Sequence, residues 1–282
     1  MRTTRKYPIL AISMAALFAL MMSAPTNASA ATTSVNMGAA STYAVLAAET
    51  ITNTGNSTIG GSAGGDVGLY AGTSITGLST LTISGTVHTA DAAANLAKIA
   101  LSAAYDDAAG RNPVMSRPAE LGGSTLKPGV YVSDTGEFQI TGTLTLDGEG
   151  NNGSVFIFKA GSTLKTAGGS NVKLTNGARV CNIVWQVGSS ATLGTNSNFS
   201  GRILASASIT ATTGANIQGQ LLAKTGSVTL DTNNIQNVVC TSSVSSNGAL
   251  PNTASPLYTV MLMGAFLIIA GIIALRIRKR YE

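Results

Sequence analysis

Residues 203–210 read ILASASIT, residues 221–229 read LLAKTGSVT and, far upstream, residues 45–52 read VLAAETIT. Each copy has two aliphatic residues, an alanine and a short polar corner, then a β-branched residue and a threonine. The later copies extend into longer units, because residues 181–185, 200–204 and 218–222 align at spacings of 19 and 18 residues. A period of this size, rich in Gly, Ser, Thr and Asn and too short to hold a helix, predicts one turn of a β-solenoid. Alternate strand residues then point inward: Ile209 and Ala211, or Val228 and Leu230, enter the core, while Thr210 and Thr212, or Thr229 and Asp231, face out. A single coil cannot bury its apolar side. Stacked coils, about 4.7–4.9 Å apart, share one core and turn repeated outward residues into columns.

Working outward, residues 43–87 continue the pattern as short strands cornered by glycines at 55, 60, 61, 64, 65, 68 and 72. Between residues 90 and 109 the period changes. Asp91, Asn95, Lys98, Ser102 and Asp106 recur at helical spacing, opposite a stripe of Ala93, Ala97, Ala100 and Ala104 flanked by Leu96 and Leu101. This predicts one amphipathic helix with Asp91 in its first turn, ended by Gly110 and Pro113. A seam of alanines lets the axis lie close to a flat surface, so the helix is expected to pack lengthwise on one solenoid side. Strands resume at Leu126. The N-terminal coils must therefore pair with coils from the C-terminal half, which makes the helix an insertion within a solenoid spanning residues 31–240.

The two ends read as addresses. Arg2, Arg5 and Lys6, an apolar run over 9–22 and the small residues Ala28, Ser29 and Ala30 predict a signal peptide over 1–30, the alternative being an uncleaved anchor. A Ser/Asn-rich linker over 241–249 leads to Leu250, Pro251, Asn252, Thr253 and Ala254, an apolar segment over 257–275 and a basic tail over 276–282. The apolar segment is long enough to span a bilayer, with the tail on the cytoplasmic side. This ending resembles the sortase sorting signal of Gram-positive bacteria in an LPxTA form. The resemblance implies cleavage after Thr253, attachment to peptidoglycan through Thr253, and membrane contact only before cleavage; a plain membrane anchor is the alternative.

Seven of the 17 Lys and Arg lie in these ends, leaving ten against eleven acidic residues over 31–253. That near-neutral balance removes the electrostatic case for nucleic acid as a partner. Cys181 and Cys240 are the two cysteines; in an exported chain they are a possible disulfide, or else two buried thiols. No Cys/His cluster has metal spacing, no nucleotide-binding loop follows a strand, and no Ser/His/Asp set assembles, so no metal, cofactor or catalytic residue is expected. His88 reads as a structural hydrogen-bonding group at the start of the helix and Trp185 as core. The carboxylates Asp134, Glu137, Asp147 and Glu149 sit in turns with Gly or Asn, as solvated corners do.

The runs over 121–131, 142–147, 155–158, 185–194 and 219–223, with residues 88–94 leading into the helix, resemble the ice-binding-like β-solenoid family. The resemblance covers residues 35–238. It implies a mainly β fold, a right-handed parallel β-helix of discontinuous type with one long α-helix along its side. It also implies a flat side that binds ice through a motif of the form Thr-(Ala/Gly)-x-(Thr/Asn), matched by residues 210–213 and 213–216. Aligning the repeats places Thr52, Thr76, Thr163, Thr192, Thr210 and Thr229 in one outward column. Thr54, Thr212, Gly194, Lys165 and Asp231 fall two residues on. The candidate ice-binding residues are Thr52, Thr54, Thr163, Thr192, Thr210, Thr212, Thr213, Asn216 and Thr229. Two readings stand: a cell-surface ice-binding protein, or a wall-anchored adhesin or structural protein whose threonines are ordinary outward strand residues and whose ligand is another surface.

Overall fold

The computed structural model describes residues 32–239 and Arg276. The signal peptide, Cys240, the linker, the sorting motif and the apolar segment over 257–275 lie outside the described residues. Among the described residues no helix is long and apolar enough to cross a membrane.

Every strand pairing is parallel, and the strands stack into three columns that form three sides of a solenoid. The first side is a seven-stranded sheet in the order Phe138–Ile140, Leu164–Thr166, Ala191–Leu193, Ile209–Ala211, Val228–Asp231, Thr50–Thr54 and Ser74–Thr76. The chain thus steps from Val228–Asp231 back to Thr50–Thr54, so an N-terminal coil continues the C-terminal stack. The same jump occurs at Leu221 to Val45 and at Ile235 to Ile59, as the repeats predict. The other two sides belong to one fifteen-stranded sheet that turns a corner within its longest strands, Asn198–Ala205 and Asn216–Ala223.

That corner depends on two glycines. Gly201 and Gly219 pair across the stack with φ of 122° and 142°, a region that residues with a Cβ seldom enter. A Cβ on Gly219 would also lie 1.9 Å from the Gly201 carbonyl oxygen. Stacked corners therefore leave no volume for a side chain.

Core residues follow the alternation. Ile209, Ala211, Val228 and Leu230 are fully buried between more open threonines. One inward column runs Tyr131, Phe158, Trp185, Ile203, Leu221, Val45 and Val67. Its register explains the change from aromatic to aliphatic. Tyr131, Phe158 and Trp185 succeed one another at 27-residue offsets, whereas Trp185, Ile203 and Leu221 do so at 18. Wider coils need larger side chains to reach interior packing density. Trp185 stacks on Phe158 at 3.9 Å and 10°, and its indole N–H donates to the Ser200 carbonyl at 3.1 Å. The pairing also corrects the sequence alignment by one residue, since Trp185 meets Ile203 and not Leu204.

The helix, α1, spans Ala92–Gly110 and lies along the second side. Asp91 is its N-cap, accepting from the Ala94 N–H at 2.8 Å, rather than a first-turn residue. The buried stripe is Ala94, Ala97, Leu101, Ala104 and Ala108, which turns the predicted seam by one residue at its start. Ala93 is exposed and Leu96 is 59% exposed. The seam is set by the side chains it meets. Leu46, Val130, Ile157, Val184, Leu204 and Leu222 project outward from this side and form with α1 a second apolar core. Lys98, expected on the polar face, leans inward and donates to the carbonyls of Ala223 and Lys224 at 2.5 and 2.6 Å.

Candidate functional site

With one side covered by α1, the seven-stranded sheet presents an uncovered array. Its central outward column is Gln139, Lys165, Thr192, Thr210, Thr229, Thr52 and Thr76, each paired in direct register with the next. Five successive coils therefore carry threonine at one position. Thr192, Thr229 and Thr76 are exposed and Thr52 and Thr210 half-exposed. Among the described residues, none of these five hydroxyls makes a hydrogen bond to protein. Neighbouring threonines along the column sit about 4.7–4.9 Å apart, the strand spacing, and side chains two residues apart on a strand are separated by roughly 6.5 Å. Threonine suits such an array because β-branching restricts χ1 and so fixes methyl and hydroxyl directions.

The flanking columns differ in their bonding. Two residues before the centre stand Glu137, Thr163, Ser190, Ser208, Ser227, Thr50 and Ser74. Here the hydroxyls bond along the stack: Thr50 Oγ1 donates to Ser227 Oγ at 2.8 Å, and Ser208 Oγ and Ser190 Oγ accept from the backbone N–H groups of Ser227 and Ser208 at 3.1 and 3.3 Å. Two residues after the centre stand Ala167, Gly194, Thr212, Asp231 and Thr54. Thr212 Oγ1 donates to the Leu193 carbonyl at 2.8 Å. Thr213 Oγ1 donates to Asp231 Oδ2 at the next corner.

The structure brings together Thr52, Thr54, Thr192, Thr210, Thr212 and Thr229. Thr163 shares the side but lies in the preceding column. The central position in its coil is Lys165, paired with Thr192, because the wider coil shifts the alignment by two residues. Thr213 sits at the corner. Asn216 lies around that corner on the third side, since Thr213, Gly214 and Ala215 carry the chain off the sheet before Asn216–Ala223 begins.

Asn216 belongs to a different column that sequence reasoning missed. Asn171, Asn198, Asn216 and Asn234 stack in register on the third side. Asn234 Nδ2 donates to Asn216 Oδ1 at 3.0 Å, and Asn216 Nδ2 to Asn198 Oδ1 at 3.3 Å. The 18-residue recurrence of Asn before Phe or Ile at 198, 216 and 234 was the available signal.

Electrostatically the threonine array is quiet. Charge appears at its margins, where Lys165 pairs with Glu137 at 2.6 Å in the widest coils and Asp231 takes the Thr213 hydroxyl. The hydrogen bond from Lys165, with one from Thr163, holds the Glu137 carboxyl below its ordinary range. His88 stands apart, with Nδ1 2.7 Å from Asp91 Oδ2 at the start of α1. Among the described residues no group of three or more His, Cys, Asp or Glu is placed to hold a metal ion.

A parallel solenoid with one side sealed by its own helix and another displaying a neutral, regular hydroxyl and methyl array is a surface-binding repeat protein in class. The model of the ice-binding-like family matches residues 45–236. An ice-binding protein of Nostoc sp. (strain HG1) is 39% identical over 259 residues, 91% of each chain. Among solved structures, an ice-binding protein from an Antarctic biological consortium superposes with a TM-score of 0.70 at 40% identity, over 73% of this chain and 92% of that one. The ice-binding protein of the Antarctic ascomycete Antarctomyces psychrotrophicus gives 0.68 at 40% identity, over 72% and 98%. This chain belongs to the ice-binding-like family.

Proposed function

We propose that the protein binds ice through the side carrying Thr52, Thr192, Thr210 and Thr229, without catalysis, and that Thr54 and Thr212 extend the contact. The observation that carries this reading is the five-coil column of unpartnered threonines in direct register. A crystal surface is periodic in two dimensions and carries no charge, so a matching partner needs neutral groups at two fixed spacings. Stacking supplies one spacing and strand alternation the other. Rigidity matters equally, because an array already fixed by backbone pairing loses little entropy when it meets ice. The relatives' activity supports the same reading.

The test is thermal hysteresis with ice-crystal shaping. Wild type is expected to give faceted crystals and a hysteresis gap. Thr210→Tyr is expected to abolish both while leaving circular dichroism and melting temperature unchanged. Round crystals from folded wild type would leave adhesion to another surface as the function.

The same proposal extends to placement. The chain is exported by residues 1–30, coils right-handedly, and is fixed to a Gram-positive cell wall by sortase acting at residues 250–254. Cys181 is disulfide-bonded, and no free cysteine occurs among the described residues; Cys240 is the other cysteine in the chain and is proposed as its partner. Such a bridge would close a long loop and favour the folded chain by restricting the unfolded one. Mass spectrometry of the wall fraction reads export, wall attachment and the bridge together. The expected products are an N-terminus at Ala31, a wall peptide on Thr253, and a linked peptide containing Cys181 and Cys240. Recovery of residues 254–282 in the mature protein would overturn wall attachment.

A further inference from the structure

The two ends of the solenoid are finished differently. One end is built from residues 112–128, which include Pro113, Pro118 and Pro128 and the charged Arg117, Glu120 and Lys127. Of its inward residues, Leu121 and Leu126 are buried, at 1% and 3% exposed, while Met115, the register partner of Tyr131, is 39% exposed, so what sets this end apart is its prolines and charges. Proline and charge on a terminal strand are standard means of blocking further strand addition.

The other end is the coil containing Ser74–Thr76, Leu81–Ile83 and Val87–Thr89, and each of these strands has a neighbour on one side alone. Residues 67–90 contain no Asp, Glu, Lys, Arg or Pro. The inward positions show the consequence. Ile51, Ile59 and Val67, one coil below, are fully buried, whereas their register partners Ile75 and Ile83 are partly open and Val87 is 37% exposed. Leu78 at the corner is 44% exposed. The solenoid core is thus open at this end, beneath three strand edges with unpaired backbone groups.

We propose that this end is an interface for the same end of a second copy. Several observations select that occupant. An edge without charge offers nothing to an acidic or basic partner, yet it is electrically matched to itself. Head-to-tail stacking would require the opposite end, which its prolines and charges block. A two-fold contact closes after two subunits and uses one surface twice. It pairs the strand edges in antiparallel fashion and covers Ile75, Ile83 and Val87 with their counterparts. Among the described residues the N-terminal segment begins away from this end. Thr33 accepts from Arg111 just beyond the far end of α1, and the 19-residue helix puts about 28 Å between there and the open coil. The chain beyond Val239 does leave nearby, because the Val239 N–H donates to Ser62, so the test separates that segment from a second copy.

The experiment is sedimentation of the full chain, as recovered from an exporting host, over a concentration series, together with hydrogen exchange at residues 74–76, 81–83 and 87–89. A dimer is expected, with edge amides that become protected as concentration rises. Val87→Lys and Thr82→Lys, each confirmed folded by circular dichroism, should shift the population to monomer and remove the concentration-dependent protection. A monomer at all concentrations would overturn the proposal, as would a dimer that survives both substitutions. Protection that is independent of concentration and vanishes when residues 241–282 are deleted would also overturn it, and would assign the edge to the chain's own C-terminal segment.

Discussion

The side covered by α1 and the side carrying the threonine column are built by the same operation, parallel strands stacked in register from the same coils, yet one is closed and the other open. The difference lies in the outward residues alone. On the closed side they are Leu46, Val130, Ile157, Val184, Leu204 and Leu222, and the area they present is large enough to hold a helix of small residues against it. On the open side they are Thr192, Thr210, Thr229, Thr52 and Thr76, each with a methyl group that avoids strong hydration and a hydroxyl that solvent can satisfy. A solenoid thereby separates the two tasks that a globular protein mixes. Inward residues set stability, and outward residues choose between an internal partner and an external one.

The first way to break this contrast is to weaken the internal partner. Leu101 is fully buried at the centre of the α1 seam, so Leu101→Ala should lower unfolding free energy by about 2–5 kcal/mol, read by chemical denaturation. The threonine side belongs to another sheet and does not touch Leu101. Ice-crystal shaping at temperatures where the variant stays folded is therefore expected to persist. Loss of shaping in a folded variant would show that α1 helps to hold the open side flat.

A smaller effect concerns the one charged side chain of α1 that reaches the closed side. Burial, with the Lys224 ammonium nearby, pushes the Lys98 amine down to about 8; Lys224 itself is drawn toward Asp106 at 3.6 Å. The unfolded chain holds its lysine proton to about 10.4, so between these values the unfolded state binds more protons and stability rises with pH. The contribution is unfavourable below pH 8 and is relieved above it. In Lys98→Met this rise should be absent. The check is denaturation at pH 7 and pH 9.5 for both proteins. An equal pH response in the two would show that Lys98 keeps its proton in the fold.

Much of this architecture was legible in the repeats, and the reasons for what was not are physical. Alternation and an 18-residue period are local properties, so Ile209, Ala211, Val228 and Leu230 were placed inward and Thr210 and Thr229 outward without the structure. The return of the N-terminal coils to the C-terminal stack followed from chain connectivity. Thr163 and Lys165 each fall one column earlier than the repeats suggest, because the lower coils are longer, at 27 residues against 18. Strand register there depends on how a wider core packs around Phe158 and Trp185, which no single repeat reveals. The seam of α1 was misplaced at Ala93 for a related reason. A helix with alanine on several faces does not announce which one is buried; Leu204 and Leu222 across the interface decide. Asn216 was assigned to the threonine side because its motif is continuous in sequence, whereas the chain turns a corner at Thr213, Gly214 and Ala215.

The finest test compares two threonines on the same side, two coils apart. Thr210 lies in the central column and, among the described residues, its hydroxyl has no protein partner; Thr50 lies in the preceding column and donates to Ser227 Oγ at 2.8 Å. Valine keeps the shape and the outward methyl of each and removes the hydroxyl. Thr210→Val should leave stability within about 0.5 kcal/mol and reduce thermal hysteresis, less than Thr210→Tyr does, because the array loses a polar group and keeps its flatness. Thr50→Val should show the reverse balance, a stability loss of about 1 kcal/mol from the missing hydrogen bond with hysteresis nearly unchanged. If both variants instead lost hysteresis equally, the contact with ice would extend across both columns, and the bonded hydroxyls would have to be counted as part of the binding surface.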